Sequence, residues 1–115
     1  MVESSKQLTV LWTSGNPVTA KNMVFMYVIN AKKFGWWDDI TLIIWGASAQ
    51  LAADRKDFQP YFQSMHEVGV DLVACKACAD DLGVTEQLEA LGVEVKYMGT
   101  GLTEVLQGQG KFISI

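Results

Sequence analysis

Two cysteines, one histidine and a few small polar residues at predicted strand ends are what this 115-residue chain offers for chemistry. The cysteines form a single tetrapeptide, Cys75-Lys76-Ala77-Cys78. Cys75 closes a predicted strand and Cys78 opens the helix that follows. The carboxyl end of a parallel sheet is where α/β domains place their chemistry. Helix N-terminal N–H groups and the macrodipole favour an anion there, so a thiol at that place ionises nearer neutral pH and becomes a nucleophile. Three readings of the pair compete. A zinc site needs four Cys or His ligands, which two Cys and one His do not supply unless subunits pool them, so no metal is expected. A thioredoxin-like dithiol is the second, because CxxC beside a βα unit is its local signature. Such motifs follow an earlier strand, however, and neither Pro17 nor Pro60 immediately precedes a strand where a facing cis-proline would sit. Inert, buried cysteines are the third, since free cysteine is among the most buried residue types.

Other candidates are weaker. Thr13-Ser14-Gly15-Asn16-Pro17 forms a strand-to-helix turn that lines the mouth of the sheet, where a helix start can hold an anion. It lacks the GxGxxG and GxxxxGK[ST] spacings that bring backbone N–H groups onto phosphates, and its plainer reading is a βα turn with an N-cap. Gly46-Ala47-Ser48 places small residues at the mouth of the second strand in the same way. With Lys76, the cation of the CxxC motif, Thr13, Ser14, Gly15, Asn16, Gly46 and Ser48 make up the predicted cleft. His66 lies between Met65 and Glu67 on a polar helix face and reads as solvated. No GxSxG elbow accompanies it, and one His among scattered acids gives no triad. No cofactor is expected.

These residues need elements to position them, and the chain reads as alternating strands and helices. Leu8-Thr9-Val10-Leu11-Trp12 is a β-rich run. Pro17 follows at a helix start with Asn16 as N-cap, and the helix runs to about Phe34, stopped by Gly35. Ile40 to Trp45 is a nearly continuous apolar run, as in a strand covered on both faces. A short helix follows Gly46, and a longer one spans about Asp57 to Val68. Val70 to Cys75 is the third strand, and a helical region spans about Cys78 to Leu91. Val93-Glu94-Val95-Lys96-Tyr97 alternates apolar and charged residues, as at a sheet edge. A short helix at about Leu102 to Gln107 leads to a last strand, Lys111 to Ile115. This predicts an α/β three-layer fold with a five-stranded parallel sheet and right-handed crossovers, in one domain over residues 1–115. The pattern alone leaves the strand order open.

Composition narrows the partners. Half of the residues are hydrophobic and 19% are charged, which excludes a disordered chain. With 9 basic residues against 13 acidic ones, and Arg55 the sole arginine, nucleic acid is not an expected partner. Met1 to Leu8 contains no apolar signal core, and the longest apolar stretch, Leu42 to Ala53, falls short of the ~20 residues a bilayer requires. A cytoplasmic protein with reduced cysteines and no membrane contact is therefore expected. Met23 to Ile29 is apolar all round, two helical turns with no polar face. The far side of that helix needs a cover, which predicts a homo-oligomer through helix 17–34 that buries Phe25 or its neighbours and is joined by Trp36 and Trp37.

A strand ending in cysteine, then a helix and a glycine eight residues after that cysteine (Cys75 to Gly83), resembles the DsrE/DsrF/TusD/YchN group of sulfur-handling proteins. The resemblance extends to the opening strand, the Thr13–Pro17 turn and the tail Met98-Gly99-Thr100-Gly101-Leu102-Thr103-Glu104-Val105-Leu106. It implies a cytoplasmic DsrE-like domain with sheet order 4-3-2-1-5, assembled as trimers or hexamers. It also implies a cysteine at the Cys75 position that carries sulfur as a persulfide between donor and acceptor proteins, in tRNA thiolation or dissimilatory sulfur metabolism. Relay members commonly carry basic residues just before the glycine, whereas Asp80, Asp81 and Leu82 stand here. Those carboxylates oppose ionisation of Cys78. Two functions follow as alternatives: a sulfur carrier or sulfurtransferase subunit using Cys75, with Cys78 as resolving thiol, or a non-catalytic oligomeric binding or assembly module.

Overall fold

Parallel strands cannot be joined by tight turns, so each of the first four strands here is followed by a helical connection that carries the chain back to start the next strand. The computed structural model describes residues 6–115; Met1 to Ser5, most of the opening stretch read for a signal core, lie outside the described residues. The strands are β1 (Gln7–Trp12), β2 (Asp39–Ile44), β3 (Asp71–Cys75), β4 (Glu94–Lys96) and β5 (Lys111–Ser114). They pair in parallel in the order β4-β3-β2-β1-β5. The alternating fourth strand is therefore an edge.

Helix α1 covers residues 17–33, α2 Ala47–Asp54, α3 Gln59–Val68 (after a 3₁₀ turn, Lys56–Phe58), α4 Lys76–Leu82, α5 Thr85–Ala90 and α6 Gly99–Gln107. The strand order fixes which face each helix takes. From β1 to β4 the chain always steps in one direction, so right-handed crossovers put α1 to α5 on one face. The step from β4 back to β5 runs the other way and puts α6 on the opposite face. The outer layers are thus unequal. The larger core joins Leu8, Val10, Trp12, Ile40, Leu42 and Ile44 of the sheet to Val24, Phe25, Val28, Phe62 and Met65 of the helices. The smaller one, on the α6 face, holds Ile43, Val73, Cys75 and Met98, flanked by Leu11, Trp45, Cys78 and Leu102. None of the nine residues of α6 is fully buried.

Several elements differ from the sequence reading. Residues Ala20–Phe25 of α1 wind as a π-helix. With i→i+5 bonding the rotation per residue falls, so Phe25 comes round beneath Ala20 instead of splaying away. Phe25 is consequently buried within its own chain, with the Trp12, Phe58, Tyr61 and Phe62 rings at 5.1–5.6 Å. Of the expectation that a second copy covers Phe25 or its neighbours, the Phe25 part is thereby corrected. The outer side of α1 shows Val18, Met23 and Met26 instead, and Phe34 and Trp36 are exposed beyond it. Trp37 is only half-buried and donates from its indole Nε1 to the Tyr27 hydroxyl at 3.0 Å. The helical region expected over 78–91 is two helices, because Gly83 takes φ 72° and ends α4. That left-handed value is natural for glycine as a C-cap. The last helix starts at Gly99, three residues earlier than expected.

Candidate functional site

The carboxyl ends of β1, β2 and β3 lie side by side, and each opens directly into a turn or helix. At β1 the Asn16 Oδ1 accepts the Val18 and Thr19 N–H groups at 2.8 and 3.0 Å, with Pro17 in the first helical position. The Ser14 hydroxyl accepts the Asn16 N–H at 3.1 Å, and Thr13 donates through both its N–H (2.7 Å) and its hydroxyl (3.1 Å) to the Ile115 carbonyl. The helix start is therefore filled by its own cap, as the plainer reading of this turn has it. Gly15 approaches the second turn closely: a Cβ added there would stand 3.2 Å from that of Ala47.

At β2, Ser48 is fully buried. Its hydroxyl donates to the Trp12 carbonyl and accepts the Trp45 N–H at 3.1 Å, tying the β1 and β2 ends together. Gly46 has φ 74° and ψ −133°, a conformation that essentially only glycine adopts. No atom beyond its neighbours comes within 4 Å of where a Cβ would sit, so the backbone rather than space demands the glycine.

At β3, Cys75 is the N-cap residue of α4, which begins at Lys76 rather than at Cys78. Strand pairing sets Cys75 opposite Lys96 of β4. The Cys75 side chain points to the α6 face and is 4% exposed among Ile43, Val73 and Met98. Cys78, half-buried, turns back toward it from the first turn of α4. Burial pushes the Cys78 thiol above its ordinary range, and the neighbouring Cys75 thiol adds to this. The Gly46 N–H pulls the other way, and the Asp81 carboxylate contributes a smaller upward push. The fold thus brings Cys75, Cys78 and Gly46 together.

It does not bring the rest of the predicted cleft to them. The β2 turn stands between Thr13–Asn16 and the thiols, and Ser48 is a buried tie. Lys76 turns away: its ammonium pairs with Asp80 at 2.9 Å and lies 5.8 Å from the exposed Tyr97 ring. Asp80 is held below the usual carboxylate range by Lys76 first and by the Thr85 hydroxyl next. His66 sits far along α3, with Nε2 3.1 Å from the Leu91 carbonyl and packed over Gly92. Met98 and Trp45, which wall the thiols, are not among the predicted site residues. Met98 stands in the quoted tail motif, but only the topology shows that this tail crosses over Cys75.

A family model described as the DsrE/DsrF-like family matches residues 6–113. The chain belongs to the DsrE/DsrF-like family. That family is generally tied to sulfur relay. The DsrE-like chain is 41% identical to a conserved protein of unknown function from Bacteroides thetaiotaomicron, with 96% of this chain and 95% of that one covered and a TM-score of 0.92. It also matches the ychN protein from E. coli at 14% identity and a TM-score of 0.67, over 97% of this chain and 100% of that one, a likeness of fold. No match is found among curated proteins. Among the described residues no helix is long and apolar enough to cross a membrane, and no group of three His, Cys, Asp or Glu side chains is placed to hold a metal ion.

Proposed function

We propose that this DsrE-like protein is a cytoplasmic sulfur carrier, a sulfurtransferase subunit that passes persulfide sulfur through Cys75 between partner proteins. The observation that carries the reading is the meeting of two thiols at the carboxyl mouth of the central strands, with Cys75 at the N-cap position of α4. In the loading step the Cys75 thiolate attacks the outer sulfur of a donor persulfide. A bond forms between Cys75 Sγ and that sulfur, the donor S–S bond breaks, and the donor leaves as a thiol. Delivery is the same exchange run toward an acceptor thiol. Cys78 is the resolving thiol: attack on Cys75 Sγ forms the internal disulfide and expels the carried sulfur as hydrosulfide, the sulfane sulfur being reduced as the two thiols are oxidised. Incubation with a cysteine desulfurase and cysteine should add one sulfur atom by intact mass, and Cys75→Ser should abolish the gain. No added mass on the intact chain overturns the reading.

Burial of Cys75 under Met98 favours a second reading, an oligomeric binding or assembly module that keeps the fold without the chemistry. The same loading experiment separates the two. Under either reading the outer face of α1, with Val18, Met23 and Met26 exposed and Phe34 and Trp36 beside it, supports assembly of copies as a trimer or hexamer. A monomeric mass by light scattering at micromolar concentration rejects that assembly.

A further inference from the structure

A group carried on Cys75 needs room beyond Sγ, and the thiol itself is enclosed. On its face of the sheet a cavity of about 360 Å³ lies between the strands and α6. Ile43, Val73 and Met98, the apolar neighbours of Cys75, form one side of it, and Asp71, Glu94 and Lys96 the other. Side chains alternate between the two faces of a strand, and paired residues of adjacent strands, about 4.8 Å apart, share a face. Lys96 pairs with Cys75 and Glu94 with Val73, while Asp71 stands four residues before Cys75 on that face. The cation is therefore beside the thiol and the two carboxylates are farther along. Among the described residues Lys96 is the one cation that the strands place on this face. We propose that the Lys96 ammonium is the anion-holding group of the Cys75 site, facing the charge of the group that Cys75 Sγ carries into the cavity.

The ammonium is available for that task. It pairs with Glu94 Oε1 at 3.5 Å, and both side chains are more than half exposed, so the pair holds it only weakly. Lys76, the lysine next to Cys75 in the chain, is committed to Asp80 at 2.9 Å and turned toward the Tyr97 ring. Because Lys96 belongs to a strand, it stays beside Cys75 when the α6 layer moves. A lysine on an edge strand also keeps that edge from pairing with another chain, a role that asks nothing of its neighbours. A hydropersulfide is more acidic than its parent thiol, so its outer sulfur is an anion near neutral pH. An ammonium at this place stabilises that anion while the sulfur waits for its acceptor. This consequence rests on the sulfur-carrier reading; the cation beside Cys75 does not.

The test uses the unloaded chain in a Cys78→Ser background, where Cys75 is the one remaining cysteine. Its alkylation by iodoacetate is compared with that by iodoacetamide, which leaves a neutral group of nearly the same size. Both reagents meet the same thiolate through the same opening, so their rate ratio cancels access and ionisation and reads the charge around the incoming group. Two unit charges about 4 Å apart in water attract strongly enough to change a rate about fivefold. Lys96→Gln should therefore lower the iodoacetate-to-iodoacetamide ratio about fivefold at low salt, and Lys96→Arg should keep it. Lys111→Gln changes the net charge equally, but Lys111 lies on β5, three strands away and on the opposite face, beyond the ~10 Å reach of a screened charge. It should leave the ratio unchanged. A ratio indifferent to Lys96→Gln, or lowered as much by Lys111→Gln, overturns the proposal. Salt supplies a second measurement that needs no variant at position 96. The chain carries a net charge of −4, so a site governed by that overall field takes iodoacetate faster as ionic strength rises. A site governed by Lys96 shows a falling ratio instead, and a rising one overturns the proposal. Neither readout involves a persulfide, so a failure of loading and a failure of this proposal are told apart.

Discussion

Met98 is expected to govern access to Cys75, and its truncation gives the sharpest test of how this site opens. Cys75 is 4% exposed and Met98 6% exposed, in a cluster that includes Ile43 and Val73 and lies on the α6 face, apart from the main core. An alkylating reagent reaches Cys75 only when that cluster opens. Truncation of a buried methionine to alanine costs about 2–5 kcal/mol. The small, thinly covered cluster places Met98→Ala near the low end, about 2 kcal/mol. If opening is local, the open population rises by that free energy, about 30-fold at about 1.4 kcal/mol per factor of ten. Labelling of Cys75 in a Cys78→Ser background should therefore accelerate about 30-fold, while Tm falls by about 6–10 °C. Val28→Ala, equally buried but in the larger core, should lower Tm without accelerating the labelling. If Met98→Ala labels no faster than its parent, or both variants accelerate alike, Cys75 is not opened by movement of the α6 layer.

Cys78→Ser should leave persulfide loading of Cys75 intact but stop oxidation to an internal disulfide, read by intact mass under mild oxidant. Because burial and Cys75 hold the Cys78 thiol above its ordinary range, its labelling should rise at higher pH than that of a free cysteine in a short peptide, read by alkylation across a pH series. Phe25→Ala should cost about 3–5 kcal/mol by denaturant melts, since four aromatic rings lose their common partner. Asn16→Ala should cost about 1 kcal/mol, the worth of an N-cap that satisfies two N–H groups, and should leave the thiol profiles unchanged.

The sequence by itself determined the elements and their kind. Apolar runs of strand length, Asn16-Pro17 at a helix start and glycines at the stops set β1, α1, β2 and β3, because these signals are local and each residue's preference agrees with its neighbours'. The alternation of Val93 to Tyr97 marked an edge, and the spacing from Cys75 to Gly83 carried the resemblance that supplied the strand order. Local signals do not say where the chain crosses. That α6 lies alone on one face follows from the return step from β4 to β5, so only the tertiary structure put Met98 over Cys75. The π segment, too, belongs to packing: Met23 to Ile29 looks apolar all round in sequence, and the wider turn decides which of those side chains face inward. Gly46 was legible as a small residue at a strand mouth. That this turn lies beside the end of β3 depends on β2 and β3 being adjacent in the sheet, and adjacency pairs residues thirty positions apart in the chain, Thr41 with Asp71 and Ile44 with Ala74, which no local pattern encodes.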